Sequence, residues 1–519
     1  MYEPLSDSLR KIARGTGVAL IGTFISLLLG FIIRLILARY GSEADYGIYS
    51  LALMVFTFVT VLACLGLHEG TTRYVAFFQG KEALARVRGT IAFSLQLAIA
   101  TSVIVSVALF LSAEAIASNI FHAPDLALAL KIFAGGVPFL TLISVLAAVF
   151  RGFDRAEPYA YFYLILLNVL FLLLLLVVAM FSLSFIAVFY AYVLALLLTF
   201  VALATYTAKK LPLAVKFSGE EVDSSIRIEL LLFSLPVLGS SVISVIIVWA
   251  ATLILGSFKT PAVVGLYNAA YPLSEFIATP LAALMLIYTP VATSLYSQNL
   301  MTELRRNYTI LTKWIVSLTL PLFLVVCLFP EAVLNLTFGS AYIGAAPALR
   351  ILSLGFIIRN LLGPNTNTLL AVGKSRFIMW VTLITAIMNV LINIVLIPPL
   401  GIVGAAIALA VSLTLGGIIL SVKLYLSWHI QPLSKNLLKP LITSIVLALL
   451  FQFTIGSFLN VTLWMLPLLF ILYYVIYGIV TVLTRSFDRE DIAMLLEIER
   501  RSNINAAPVK KILRRFVKL

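Results

Sequence analysis

The feature that most constrains the fold is a series of apolar runs, each close to the roughly 20 residues that a helix needs to cross a bilayer. Only 11% of the 519 residues are charged and 62% are hydrophobic, whereas a soluble domain carries about 25% charged residues. The sequence therefore predicts an all-α polytopic membrane protein with 14 transmembrane helices. The runs lie near residues 16–38, 46–67, 89–113, 127–150, 158–180, 184–206, 230–256, 263–289, 312–334, 346–371, 377–397, 402–427, 437–457 and 462–484.

The distribution of lysine and arginine supports this count. These residues concentrate in cytoplasmic loops of membrane proteins. With the N-terminus placed inside, 30 of the 36 fall in the N-terminal segment, the inner loops and the tail. We therefore predict a multi-pass plasma-membrane protein with both termini cytoplasmic. The net charge of +14 needs no nucleic-acid partner, because the basic amphipathic tail at 485–519 is suited to anionic lipid headgroups.

Short stretches recur along the chain at a nearly constant offset. Residues 44–50 (ADYGIYS) resemble 262–268 (AVVGLYN), and 129–132 (ALKI) resemble 348–351 (ALRI). These offsets of 218 and 219 residues predict duplication of a six-helix unit. Six is an even number, so both copies share one orientation and a pseudo-two-fold axis along the membrane normal. The predicted parts are an N-terminal lobe (1–229), a C-terminal lobe (230–430), two extra helices (431–484) and the cytoplasmic tail (485–519).

Residues 31–76 carry a pattern that resembles a known family. An arginine-bearing first helix leads to Tyr-Gly-x-Tyr at 46–49, and the next helix ends in Gly-Leu and a basic residue. Residues 264–276 are similar to the eighth helix of that family, and 401–412 to its twelfth. The family is the polysaccharide-type flippases of the multidrug/oligosaccharidyl-lipid/polysaccharide exporter superfamily. The similarity covers roughly residues 8–480 in order and spacing.

This resemblance implies a two-lobe bundle that works by alternating access. The implied cargo is a polyprenyl-linked oligosaccharide or polysaccharide precursor, moved from the inner to the outer leaflet without enzyme chemistry or a cofactor. Glycan-assembly proteins are candidate partners, and we expect a monomer. Two alternatives stay open: a cation-coupled multidrug efflux transporter, and a membrane polysaccharide polymerase or glycosyltransferase. The longest predicted outer loop, around 114–126, has only about a dozen residues, which disfavours the polymerase.

Ionisable residues at membrane depth are costly and mark candidate functional sites. Arg34 in the first helix and Arg359 in the tenth each offer a planar set of donors suited to a pyrophosphate headgroup. Each could instead form a structural ion pair. Glu275 in the eighth helix is predicted to couple transport to protons or sodium, or to pair with Arg34 or Arg359.

Three further cations lie near the ends of predicted helices. Lys131 and Arg350 are repeat counterparts at the outer ends of helices four and ten, where they could bind anionic sugars or phosphate, or anchor the helices at the interface. Arg73, just past helix two on the inner side, could recruit a headgroup or be solvated. The cysteines Cys64 and Cys327 fall inside apolar runs and predict neither a disulfide nor a metal site.

Overall fold

The structure is a computed structural model in which every secondary-structure element of the described residues is helical. The chain divides into two compact units, which we call unit 1 (Met1–Gly265) and unit 2 (Leu266–Leu519). The amphipathic tail predicted at 485–519 lies outside the described residues. The structure describes residues 3–155, 157–210, 224–432, 438–458 and 465–483.

Within the described residues, unit 1 contains nine α-helices and the first turn of a tenth. Two stretches have π-helical hydrogen bonding, Ile116–Ile120 and Tyr159–Leu166. The α-helices are α1 Glu3–Tyr40, α2 Glu43–Cys64, α3 Leu67–Gly80, α4 Leu84–Ala115, α5 Leu126–Ala134, α6 Val137–Gly152, α7 Leu167–Met180, α8 Ile186–Lys210, α9 Ser224–Phe258 and α10 Pro261–Glu275.

Unit 2 holds the rest of α10 and the helices that follow it. Two short 3₁₀ segments occur, Phe276–Ala278 and Ser340–Ala345. The α-helices are α11 Thr279–Ser297, α12 Met301–Leu328, α13 Pro330–Thr337, α14 Ala346–Leu361, α15 Asn365–Ala371, α16 Ser375–Leu400, α17 Ile402–Trp428, α18 Leu438–Phe458 and α19 Leu466–Leu483.

Among the described residues, ten helical stretches are long and apolar enough to cross a membrane. The pair α5 and α6, bent by 43°, raises the number to eleven if it counts as one span. The chain is therefore a multi-pass membrane protein. The three other predicted spans coincide with α10 plus α11, with α18 and with α19. The total of fourteen spans stays a prediction.

The sequence around α2 explains where that helix begins and ends. The Asp45 N–H donates to the Ser42 hydroxyl (3.1 Å), and the Ser42 N–H donates to the Asp45 carboxylate (2.9 Å). This reciprocal pair satisfies two amide groups that an uncapped helix leaves open. At the other end Leu65 and Gly66 have φ of 49° and 73°, a left-handed conformation that stops a helix. Helix α3 starts directly afterwards, at Leu67.

The division between the units lies after α9, later in the chain than the polar stretch 209–229 that guided the predicted lobe boundary. Helix α9 packs on α2, α3 and α4 of unit 1. Its close approach depends on Gly66 and Gly70, because a Cβ atom on either glycine would overlap atoms of Ser234. The packing of α9 therefore decides to which unit it belongs.

Gly47 and Gly265, equivalent positions of the two repeat copies, contact each other reciprocally within unit 1. A Cβ atom on Gly47 would overlap the carbonyl oxygen of Pro261, and one on Gly265 would overlap the carbonyl oxygen of Glu43. Glu43 and Pro261 are themselves 218 residues apart, the same offset as the two glycines. Helix α2 and the first turn of α10 thus cross around a local two-fold, with room for no side chain.

We expect Gly47→Ala and Gly265→Ala each to lower the free energy of unfolding by about 1–3 kcal/mol, the usual cost of overpacking. The added methyl group meets backbone on the facing helix, and backbone cannot rotate away. Thermal unfolding of the purified protein in detergent measures the effect. Gly239→Ala is the matched control, because nothing lies within 4 Å of its Cβ position. Equal stability of all three variants would contradict the close backbone contact between α2 and the first turn of α10.

Candidate functional site

In unit 1, Arg34 lies beside the tyrosines of the Tyr-Gly-x-Tyr motif. It is half-buried, six residues before the end of α1 at Tyr40, or about 9 Å along the helix axis. Its positive charge acts on the hydroxyl groups of Tyr46 and Tyr49, both buried on α2. At this depth, the N–H groups of the Arg34 guanidinium could bind an anionic ligand, with the phenol groups as additional polar partners.

In unit 2, Arg359 is brought together with Glu275 and Tyr271. Arg359 lies on α14 and the other two on α10, and the charges of both act on its guanidinium group. Arg359 and Glu275 are exposed, although both belong to helices at membrane depth. Of the two arginines considered as partners for Glu275, Arg359 is the one in its own unit. These residues place opposite charges together on an open face of unit 2.

Lys131 and Arg350 each have a carboxylate partner in their own unit. The Lys131 ammonium donates to Glu114 (2.6 Å), and the Arg350 guanidinium donates to Glu331 (2.9 Å). The acids are 217 residues apart and the bases 219, so the ion pair itself recurs with the repeat. Arg350 also donates to the carbonyl of Cys327 (3.2 Å). Both bases thus link one helix to another within their unit.

Arg73 lies on an exposed part of α3 at the end that the charge distribution predicts to be cytoplasmic. Its guanidinium carbon lies 4.3 Å from the ring centre of Phe233 and 5.4 Å from that of Tyr74. Such stacking orients a guanidinium while leaving its N–H groups open to an anion.

A polar cluster in unit 1 was missed by reading the sequence. The Arg151 guanidinium donates to the Glu69 carboxylate (3.2 Å) and to the carbonyl of His68 (3.1 Å). The His68 ring nitrogen lies 3.6 Å from the thiol of Cys64, and Arg151 faces the ring of Tyr159 at 5.3 Å. Glu69 and Arg151 are 82 residues apart, and no motif connects residues at that separation. Only the packing of α3 on α6 brings them together.

Two polar residues inside unit 2 were also missed. Lys313 on α12 is only 4% exposed, and Asn360 on α14 is fully buried. The signal was present, since Lys313 lies inside the apolar run 312–334 and Asn360 directly follows Arg359. Because Lys313 is the second residue of that run, the charge distribution assigns it to the adjoining inner loop, where a lysine needs no explanation. Within the described residues, no three His, Cys, Asp or Glu side chains form a group that could hold a metal ion.

The fold is similar to those of solved membrane transporters. The lipid II flippase MurJ in its inward closed conformation matches with a TM-score of 0.67 and 16% identity, over 89% of this chain and 97% of that one. An inward-facing multidrug resistance MATE transporter of the MOP superfamily matches with a TM-score of 0.64 and 16% identity, over 78% of this chain and 97% of that one. The chain therefore has the fold of MOP-superfamily transporters.

Residues 12–296, more than half of the chain, match the polysaccharide biosynthesis protein family, and the chain belongs to that family. An uncharacterized membrane protein of Methanocaldococcus jannaschii is 23% identical over 76% of this chain and 80% of its own length. The probable low-salt glycan biosynthesis flippase Agl15 of Haloferax volcanii is 27% identical over 32% of this chain and 35% of its own length. These matches confirm the resemblance predicted from the sequence.

The ion pair of Arg350 yields a test of its two predicted roles. Both partners are almost half exposed, and an exposed ion pair contributes about 0–1 kcal/mol to stability. We therefore expect Glu331→Gln and Arg350→Gln to unfold within a few degrees of the wild type. If Arg350 binds cargo, only Arg350→Gln lowers transport in proteoliposomes. Equal transport by both variants would leave Arg350 as an interfacial anchor.

Proposed function

We propose that this protein moves a lipid-linked oligosaccharide or polysaccharide precursor from the inner to the outer leaflet by alternating access. The observation that carries the proposal is an arginine within an apolar helix of each unit, Arg34 and Arg359. The charge of Arg34 acts on Tyr46 and Tyr49, and Arg359 is within the electrostatic influence of Tyr271. The family assignment and the name of the Haloferax relative, a probable glycan biosynthesis flippase, support it. Transport of this kind requires neither bond chemistry nor a cofactor.

The chemistry of the cargo explains why arginines would bind it. A polyprenyl-linked glycan carries phosphate or pyrophosphate at the junction of lipid and sugar, and that group must cross the hydrocarbon layer. Guanidinium groups bind phosphate through two parallel hydrogen bonds and stay charged at any physiological pH. The cations Arg34 and Arg359 outnumber the carboxylate Glu275. The balance of charge therefore favours an anionic cargo.

A cation-coupled multidrug efflux transporter is the second candidate, favoured by the structural similarity to a MATE transporter. A cationic drug would be bound best by an acidic site, and Glu275 is the group that could supply one. Its proximity to Arg359 weakens it in that role, because the arginine offsets its charge. A polysaccharide polymerase or glycosyltransferase is the third and least supported candidate, since Agl15 is named a probable flippase and the two similar solved structures are a flippase and a multidrug transporter.

The remaining parts of the proposal concern placement and partners. We place both termini in the cytoplasm of a plasma-membrane protein, where 30 of the 36 Lys and Arg residues then lie at the inner surface. The tail 485–519 would bind anionic lipid headgroups there. The protein would act as a monomer beside glycan-assembly proteins, and Lys131, Arg350 and Arg73 would guide the anionic cargo at the two ends of its path.

Removal of either membrane-depth arginine should abolish transport without preventing insertion. We expect Arg34→Ala and Arg359→Ala to reduce flipping of a polyprenyl-pyrophosphate glycan in proteoliposomes by at least tenfold, the loss of one charge-assisted phosphate contact of about 1.5–3 kcal/mol. Lysine at either position should retain part of the activity. Arg376→Ala, at an exposed position at the start of α16, is the matched control. Wild-type flipping by both alanine variants would remove these residues from the mechanism.

The variant Glu275→Gln distinguishes a role of Glu275 in ion coupling from a role in an ion pair with Arg359. If it binds a proton or sodium ion, wild-type flipping depends on pH or on a sodium gradient, and Glu275→Gln abolishes that dependence. If it only pairs with Arg359, neither gradient affects the wild type, and Glu275→Gln slows transport equally at every pH. The rate of flipping across imposed proton and sodium gradients, measured for both proteins, decides between the roles.

A further inference from the structure

Two helices of unit 2 are broken close to their charged residues. Helix α10 ends at Glu275, and the chain passes through the 3₁₀ segment Phe276–Ala278 before α11 begins. Pro280 explains the break, because it has no N–H to donate to the carbonyl of residue 276 and its ring crowds that carbonyl. The series of helical backbone hydrogen bonds is thus interrupted at residue 276, directly after Glu275.

The second break follows Arg359 in the same way. Helix α14 ends at Leu361, Gly363 has φ of 71°, and Pro364 precedes α15. Tyr308 on α12 donates to the freed carbonyl of Leu362 (2.6 Å). This break is therefore held from one side by a side chain of a neighbouring helix, as an interruption at membrane depth requires.

Asn360 connects the two breaks. Its amide nitrogen donates to the carbonyl of Ile277 (2.8 Å), the central residue of the 3₁₀ segment, and its side chain is fully buried. The Oδ1 atom of the same amide has no hydrogen-bond partner among the described residues. One hydrogen bond thus fixes the end of α14 against the end of α10, and it joins residues 83 positions apart.

The charged residues directly flank this hydrogen bond. Arg359 precedes Asn360, and Glu275 lies two residues before Ile277. One turn earlier on both helices, the rings of Tyr271 and Phe356 contact each other with centroids 6.4 Å apart. Because the two contacts set both the spacing and the rotation of α14 against α10, they also set where the guanidinium lies relative to the carboxylate.

We propose that Asn360 is a positioning residue for the arginine at membrane depth. By tying the two helix breaks together, it holds the Arg359 guanidinium beside the Glu275 carboxylate on the open face of unit 2. Asn360 itself is buried and does not touch cargo. The role of the arginine in binding cargo rests on the proposed function, whereas its placement beside Glu275 does not.

The first experiment measures the protonation of Glu275 and needs no cargo. Infrared difference spectra of the purified protein between pH 5 and pH 8, assigned with Glu275→Gln, report whether this carboxyl group is ionised. We expect Asn360→Leu to shift the proton uptake of this carboxyl group to higher pH, because loss of the hydrogen bond displaces the guanidinium group that stabilises the carboxylate. Tyr271 on α10, whose charge also acts on Arg359, is unchanged in the variant.

Asn393→Leu is the matched control. Asn393 is also a fully buried asparagine of unit 2 with an unpartnered Oδ1 atom, but its amide donates to Asn389 within its own helix, α16. It should leave the titration of Glu275 unchanged. If Asn360→Leu does not insert, Asn360→Gln retains the amide but displaces it by one methylene, and a smaller shift of the proton uptake to higher pH is expected. Identical titration in wild type and Asn360 variants, or the same change in Asn393→Leu, would overturn the proposal.

The second experiment measures flipping of the polyprenyl-linked glycan. Asn360→Leu should raise the apparent KM for this cargo at least tenfold, the same increase that we expect for Arg359→Ala. The apparent KM of the double variant, Asn360→Leu with Arg359→Ala, should be no higher than that of Arg359→Ala alone. Additive losses would contradict positioning. If no protein flips the glycan while the titration of Glu275 still responds to Asn360, the proposed function fails and the positioning role stands.

Discussion

The structure depends on one constraint: a bilayer offers no hydrogen-bond partner to an open backbone group. Long helices satisfy the requirement by themselves, so any interruption must be compensated by the protein. Unit 2 shows the compensation twice, where Tyr308 donates to the carbonyl of Leu362 and Asn360 to that of Ile277. Two polar side chains of unit 2 thus donate to backbone carbonyls at the helix breaks. The same places carry Arg359 and Glu275, and backbone chemistry and the candidate site therefore coincide.

The Tyr-Gly-x-Tyr motif acquires a physical meaning in this context. Gly47 permits α2 to cross the first turn of α10 at backbone distance, and its repeat counterpart Gly265 permits the reciprocal contact. Tyr46 and Tyr49, on either side of Gly47, lie beside Arg34. In the second copy Tyr267 stacks on Tyr271, which acts on Arg359. The Gly-x-Tyr part of the pattern, which both copies share, thus contributes both to helix packing and to the surroundings of an arginine.

The charged groups fall into two kinds with different consequences for function. At the ends that the charge distribution predicts to be outer, bases and acids form ion pairs that repeat in both units, Lys131 with Glu114 and Arg350 with Glu331. At membrane depth, Arg34 has tyrosines as its neighbours, and Arg359 has a tyrosine and one carboxylate. Paired charges at the interface suit anchoring, whereas cations in the membrane suit an anionic cargo.

The sequence alone determined that the chain crosses a membrane many times, that short stretches recur at a nearly constant offset, and that it resembles the polysaccharide biosynthesis protein family. Apolar length, residue spacing and motif order are local properties, and they do not depend on how helices pack. It also singled out Arg34, Arg359 and Glu275, because a charge in an apolar run is visible without coordinates. Only the tertiary structure decided that Glu275 lies by Arg359, that α9 belongs with unit 1 and that Asn360 joins two breaks. Each depends on contacts between residues far apart in the chain, which no spacing rule encodes.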